Sequence, residues 1–459
     1  MPPVLRSRKL RRIIAAYGIN RLGTWFGLLA LLIATYDHTH SPLAVSALMF
    51  AALALPAFAV PPLVARVEAS RRRAALARLY VFEALVTVAL ALLLAHFSLP
   101  VVLVLVAVDG SAALAATALL RAEVARAGRE ERKGTPARVD AEAVTPSDPD
   151  GMLAVPAGAA DEEIRHEAER EANAALNIAF SLTFVLGPAL GGAAVAGFGA
   201  KAALLIDAGS FLACASMLLD LSPHIPETGA DTVRSRLASA WDHIVRVPWL
   251  RALFLAQLVA MMFIETGAPI EVPFVKSTLG AGDGGLGLVL AMWGAGAVAG
   301  SFGFARLLSR PLEQLLAGGT LLIGIAYLGL ALSHSVATAC AAGVVGGIGN
   351  SMQWPGFIST VQQLTPERLH GRLMGAVESL GAIALAVGLV LGGVLVTVSS
   401  TRTAFAIVGT LAALSSVLLG RVAAKALTDD KNRARDALAI HEATLASSEL
   451  EESAETRRP

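Results

Sequence analysis

Residues 99–120 read LPVVLVLVAVDGSAALAATALL. The run carries one charge, Asp109, ten residues in. A helix that crosses a bilayer needs about 20 consecutive apolar residues, and this segment has that length and character. It lacks the period-2 alternation of a barrel strand, so it is read as a transmembrane helix. The same reading applies to eleven further blocks: 13–35, 43–65, 75–97, 174–197, 201–221, 251–272, 286–308, 312–332, 336–360, 373–397 and 402–424. The expected fold is therefore an all-α polytopic membrane protein of twelve transmembrane helices.

Composition agrees. Hydrophobic residues make up 55% of the 459, charged residues 16%, and the mean hydropathy is +0.64. A soluble domain averages about 45–50% apolar and about 25% charged. The net charge is +1, and no nucleic-acid partner is expected. All but four of the 37 Lys and Arg fall in the N-terminal segment, the C-terminal tail or the even-to-odd connections. Lys201, Lys276 and Arg402 fall on the opposite side, and Arg21 lies within helix 1. Basic residues collect on the cytosolic side of a membrane protein. Both termini are thus expected in the cytosol and the chain in the cytoplasmic (inner) membrane. The basic start, MPPVLRSRKLRR, resembles the charged region of a signal peptide. The apolar run behind it is too long for one and no small-residue cleavage site follows, so it is read as a retained anchor. Cys214 and Cys340 fall inside spans and read as core residues.

The segments divide as a cytosolic 1–12, a first six-helix bundle over 13–222, a linker over 223–250, a second bundle over 251–424 and a polar cytosolic tail over 425–459. The 4–5 connection contains a stretch, about 128–160, without apolar periodicity, expected to be disordered. Asp161 to Ala175 look helical and lead into helix 5. In the linker, Val233, Leu237, Ala240 and Ile244 recur at helical spacing and predict an amphipathic surface helix. Gly187-Pro188-Ala189-Leu190-Gly191-Gly192 parallels Gly388-Leu389-Val390-Leu391-Gly392-Gly393, and at the same offset Lys201 falls on Arg402. Two parallel six-helix repeats with a site between them describe one large class of secondary transporters.

Several motifs resemble the major facilitator superfamily, in particular its bacterial drug–proton antiporter branch of macrolide and siderophore exporters. Helix 1 carries Asn20-Arg21-Leu22-Gly23-Thr24-Trp25, similar to S-R-L-G-D-W, followed by Ser41-Pro42-Leu43-Ala44-Val45. Helix 5 carries Asn173-Ala174-Ala175-Leu176-Asn177 and then Gly187-Pro188-Ala189-Leu190-Gly191-Gly192. The 10–11 connection, Thr365-Pro366-Glu367-Arg368-Leu369-His370-Gly371-Arg372, resembles P-P-E-L-R-G-R. The chain departs from the branch at Thr24, where an acid often stands. It departs again in the 2–3 loop, where the Asp-Arg pair is missing and a basic cluster with Arg71 and Arg72 remains. The resemblance implies two six-helix bundles, a cavity lined by helices 1, 4, 7 and 10, and export of an amphipathic organic compound against proton influx. It also implies that the 2–3 loop is a conformational latch, which makes Arg71 and Arg72 candidates for gating.

Ionisable residues inside a bilayer are costly, by at least about 2.5–3.5 kcal/mol on insertion scales, and mark function by default. They are Arg21, Glu83, Asp109, Asp207 and Glu265. Arg21 and Glu83 both sit roughly 12 Å into their helices from the cytosolic side, at 1.5 Å per residue; both are candidates for the substrate or proton pathway, and a structural ion pair between them is the alternative. Asp109 lies near the midplane, and Glu265 lies in the outer half of helix 7. Both are candidate proton or substrate groups. Asp207, beside Gly209-Ser210-Phe211, is expected to be structural, and Glu271 to be hydrated at the outer interface. On helix 10, Asn350 and Trp354 share a face by their i, i+4 spacing. With Gln353 they suit an amphipathic ligand, and Trp25 is expected to add a further wall. Gly187-Pro188 is expected to kink helix 5, and Gly191 and Gly192 to admit a neighbouring backbone.

There is no phosphate-binding loop G-x-x-x-x-G-K-[ST], no H-E-x-x-H and no cysteine metal cluster. Enzymatic activity, cofactors and metal sites are therefore not expected. The partners expected are a small-molecule substrate, protons and the lipid bilayer, with the chain a monomer. Two other readings stay open. One is an uncoupled facilitator or lipid-moving protein, and the other is a non-transporting scaffold or sensor acting through its 4–5 insert and tail.

Overall fold

A computed structural model describes residues 7–58, 75–133, 157–219, 241–307, 310–365 and 367–455. Its helices follow the apolar runs. The first bundle contains α1 (Arg8–Thr39), α2 (Pro42–Phe58), α3 (Ala75–Leu93, extended by a 3₁₀ turn Leu94–His96) and α4 (Leu99–Lys133). It is completed by one long helical stretch, Ala157–Met217, broken at Gly199. There φ is 79° and ψ 163°, a conformation open to glycine alone at little cost. The break divides the stretch into α5 (157–198) and α6 (200–217). The second bundle contains α7 (Pro248–Thr278), α8 (Asp283–Arg306), α9 (Leu312–Leu332), α10 (Val336–Gln363), α11 (Glu367–Val398) and α12 (Thr401–Glu455).

Helix starts are set by local chemistry. The Ser7 hydroxyl accepts from the Leu10 amide, and the Ser41 hydroxyl from the Ala44 amide with Pro42 in the first turn. Ser335 and Thr338 form a reciprocal capping box at the start of α10. Each satisfies amides that the helix itself leaves open. Nine helical stretches among the described residues are long and apolar enough to cross a membrane, and one of them, Ile178–Met217, holds the turn between α5 and α6. The protein is a multi-pass membrane protein.

The backbone stays helical through Pro188, which removes one amide donor from the ladder, and the non-helical residue in that stretch is Gly199. α12 runs without interruption from Thr401 to Glu455, so helix continues into the polar tail. Helix also covers residues 128–133 and 157–160 at the two edges of the 4–5 insert, whose centre lies outside the described residues. Of the predicted linker helix, 241–246 is helical and the remainder lies outside the described residues, as do Arg71 and Arg72.

The buried side chains form three clusters. One holds Leu10, Ile13, Tyr80, Leu120 and Phe211 and belongs to the first bundle. A second holds Leu250, Phe254, Phe357, Leu373 and Leu419 and belongs to the second bundle. The third contains residues of both, among them Leu29, Ile33, Val45 and Val102 with Ile270, Phe274, Leu286 and Phe405. The bundles thus share one core near the α1–α2 turn. At the end where α1 begins, each keeps its own.

Candidate functional site

Two cavities, each of about 400 Å³, lie where the shared core gives way to separate ones. The first is walled mainly by α1, α2, α4 and α6, and the second by α5, α7, α8 and α10.

In the first cavity Asp109 and Asp207 face the space together with Asn20, Arg21 and Thr24. Asp109 Oδ1 is buried without a hydrogen-bond partner. Asp207 is 4% exposed and accepts from the Ser210 hydroxyl at 3.4 Å. It reaches the cavity because α1 presents no side chain against it. A Cβ added at Gly27 would lie 2.1 Å from Asp207 Oδ2, and one at Gly23 2.7 Å from Oδ1. Glu83 of α3 is fully buried, and neither carboxylate oxygen has a partner. It lies within electrostatic reach of both Asp109 and Asp207.

Arg21 and Glu83 form no ion pair. The Arg21 guanidinium lies over the rings of Tyr17 and Phe180, 5.8 and 5.2 Å from their centroids. A weakly hydrated planar cation is stabilised by ring faces, and here two are available on its own side of α1. Trp25 is likewise not a wall of either cavity. Its ring covers Gly187, where a Cβ would lie 2.1 Å away, and it meets Phe184 edge-on at 5.9 Å. The missing side chain at Gly187 makes room for that ring, so Trp25 fixes α1 on α5. Gly191 sits one turn on, where a Cβ would lie 3.0 Å from the Trp25 carbonyl oxygen.

In the second cavity Glu265, Asn350, Gln353 and Trp354 come together. The i, i+4 face of α10 turns inward and meets α7 and the α5 rings Phe180 and Phe184. Gln353 is 2% exposed, and its Nε2 has no partner. Trp354 leans on Phe357 at 6.1 Å. Glu265 is seated against Gly388 of α11, where a Cβ would lie 2.7 Å from the Glu265 Cβ.

Three further acids take these places. Asp207 lines a cavity. Glu271 is half-buried and within electrostatic reach of Glu265 and Tyr327. Glu378 of α11 lines the first cavity from the opposite bundle. Its signal was present as the lone acid in the apolar run 373–397.

The end with the shared core is also closed by polar contacts between the bundles. Lys276 Nζ lies 2.5 Å from Asp37 Oδ1 of α1 and 2.7 Å from Asp283 Oδ1 of α8. The Tyr36 and Ser277 hydroxyls are hydrogen-bonded, and the Ser46 hydroxyl donates to the Leu389 carbonyl.

Comparison with known proteins places this geometry. A family model described as Major Facilitator Superfamily matches residues 253–447. An uncharacterized MFS-type transporter of Bacillus subtilis (strain 168), YfiS, is 27% identical over 241 residues. That match covers 50% of this chain and 57% of YfiS, so the chain spans little more than half the length of that relative. Among solved structures, a POT family transporter in complex with a thioalcohol-conjugated peptide superposes with a TM-score of 0.64 at 14% identity, covering 91% of this chain and 96% of that one. A bacterial homolog of the human lysosomal transporter Spinster, inward-facing and unoccupied, gives 0.59 at 14% identity over 95% and 99%. The nucleoside transporter NupG gives 0.63 at 12% over 91% and 99%. At such identities the likeness is one of fold. The chain has the major facilitator fold of two six-helix bundles, and its second bundle carries the sequence pattern of the Major Facilitator Superfamily.

Proposed function

We propose that this protein is a secondary active transporter that exports an amphipathic organic compound in exchange for protons. The bundles rock about the cavities between them, exposing the site to one side of the membrane at a time. In this reading both termini lie in the cytosol, which the distribution of basic residues supports, and the separated ends of the bundles face the cytosol. One observation carries the reading. Asp109 and Asp207 line one cavity, Glu83 lies buried within electrostatic reach of both, and none of the three has an ion pair among the described residues. Enclosing carboxylates that have no ion-pair partner costs several kcal/mol per ion, and taking up a proton removes that cost. A group that gains a proton when enclosed and releases it when hydrated can couple proton movement to the rocking. The ring and amide wall of the second cavity supplies the apolar and hydrogen-bonding surface for the compound.

Proteoliposomes holding a pH-sensitive dye test this. Addition of a transported amphipathic drug changes the dye signal in the wild-type protein, and the change is lost in Asp109→Asn. If Asp109→Asn and Glu265→Gln both keep full drug-triggered proton flux, these acids are not the coupling groups.

A second reading, uncoupled movement of the compound or of a lipid, is favoured by Thr24. The hydroxyl there donates to the Asn20 carbonyl of its own helix at 2.9 Å and carries no proton for transport. Flux of a labelled compound that ignores a proton uncoupler would establish it.

A further inference from the structure

The seam between α5 and α8 is tight at one end and open at the other. At the tight end a Cβ on Gly192 would lie 2.7 Å from Gly287 Cα, and one on Gly287 2.4 Å from the Pro188 carbonyl oxygen. Two turns on, a Cβ on Gly294 would lie 2.8 Å from the Phe184 carbonyl oxygen. Helical periodicity carries the two facing stripes on to Ser181 of α5 and to Val298 and Ser301 of α8. There the contact gives way to the second cavity, which all three residues line, and both serines are exposed. The Ser301 hydroxyl donates to the Ala297 carbonyl of its own helix and bridges nothing across the gap.

The two sides of the gap differ in chemistry. Its outer flank is apolar, with Ile178 63% and Leu182 57% exposed on α5 and Phe302 68% exposed on α8. In a chain that spans the bilayer, side chains of this kind face lipid. Its inner wall holds Glu265, Gln353 and Trp354. The α5–α8 pair is one of the places where the two bundles meet, so a gap between these helices connects lipid to cavity without passing the cytosolic mouth.

We propose that the α5–α8 seam is a lateral entrance through which an amphipathic substrate passes from the adjoining bilayer leaflet into the cavity. This rests on the transporter reading above and deepens it by naming the substrate class. The apolar body lies among Phe180, Phe184 and Trp354. The head both donates, to Glu265, and accepts, from the unpartnered Gln353 Nε2, as a molecule with hydroxyl or amide groups does.

The test uses the full-length protein in vesicles of a phospholipid brominated on its acyl chains, which quench tryptophan on contact. The chain has five tryptophans, so the signal of Trp354 is the difference between wild type and Trp354→Phe. With the seam open to lipid, that difference is quenched several-fold relative to vesicles of the unbrominated lipid. A Ser181→Leu, Ser301→Leu double variant fills the gap and restores the Trp354 emission, with reconstitution checked by flotation of the vesicles on a density gradient. Trp354 emission indifferent to brominated chains overturns the proposal. So does quenching that is unchanged in the filled variant, because the chains then reach Trp354 by another route. Neither outcome touches the proton-flux test of transport. Loss of drug-triggered proton flux, in turn, would leave the seam's contact with lipid standing.

Discussion

Replacing Lys276 by Met should open the end of the molecule that the structure shows closed. Lys276 is held between Asp37 of the first bundle and Asp283 of its own, and the side chains are 15%, 49% and 32% exposed. Partly exposed pairs of this kind contribute about 0.2–1 kcal/mol each, and the low exposure of the lysine puts Asp37–Lys276 near the upper end. The substitution also leaves two carboxylates facing each other. Their oxygens lie within 2.5 and 2.7 Å of one ammonium nitrogen, so they are at most about 5 Å apart, and their repulsion in high dielectric is roughly 1 kcal/mol. The sum, about 2 kcal/mol, is roughly a 30-fold shift of the closed-to-open equilibrium. Spin labels at Val101→Cys and Leu332→Cys, in a Cys214→Ala, Cys340→Ala background, report the spacing of the two bundles at that end by double electron–electron resonance. The long-distance population should grow in Lys276→Met and shrink again in the Asp37→Lys, Lys276→Asp charge swap. An unchanged distance distribution in Lys276→Met, in low salt as well as in high, would refute the reasoning.

Other consequences follow from the packing and the cavities. Gly27→Ala places a methyl group where Asp207 now sits. It should lower stability by about 1–3 kcal/mol, the usual cost of overpacking, read as a lower unfolding temperature in detergent. Asp109→Asn should fold normally, since Asp109 Oδ1 has no partner to lose, yet abolish drug-triggered proton flux. Gln353→Leu removes a buried amide whose Nε2 is unpartnered. It should leave thermal stability unchanged or slightly raised and weaken ligand binding by roughly tenfold, the worth of about one hydrogen bond, as followed by Trp354 fluorescence.

The helix positions were legible in the sequence because the bilayer leaves the backbone little choice. Every amide within it must bond inside its own segment, so an uninterrupted apolar run such as 99–120 is a helix whatever packs around it. The break between α5 and α6 was legible for a related reason, since Gly199 stands between two runs each long enough to span. Asn350, Gln353 and Trp354 declared themselves by being polar or aromatic on one face of an otherwise small-residue helix, and they do meet Glu265. What each helix turns toward its neighbours was not legible. In water the apolar stripe marks the inside, but lipid is as apolar as the core, so periodicity does not say which face of α6 looks inward. Asp207 reaches the cavity because Gly23 and Gly27 of α1 make room for it. Arg21 turns to Tyr17 and Phe180 rather than to Glu83, and Trp25 covers Gly187 rather than lining a wall. Sequence by itself determined the number and order of the membrane-spanning helices, through the hydrogen-bonding demand of the bilayer. The azimuth of each helix, and with it which charges share a cavity and which are satisfied by rings, was decided by close contacts between helices far apart in the chain.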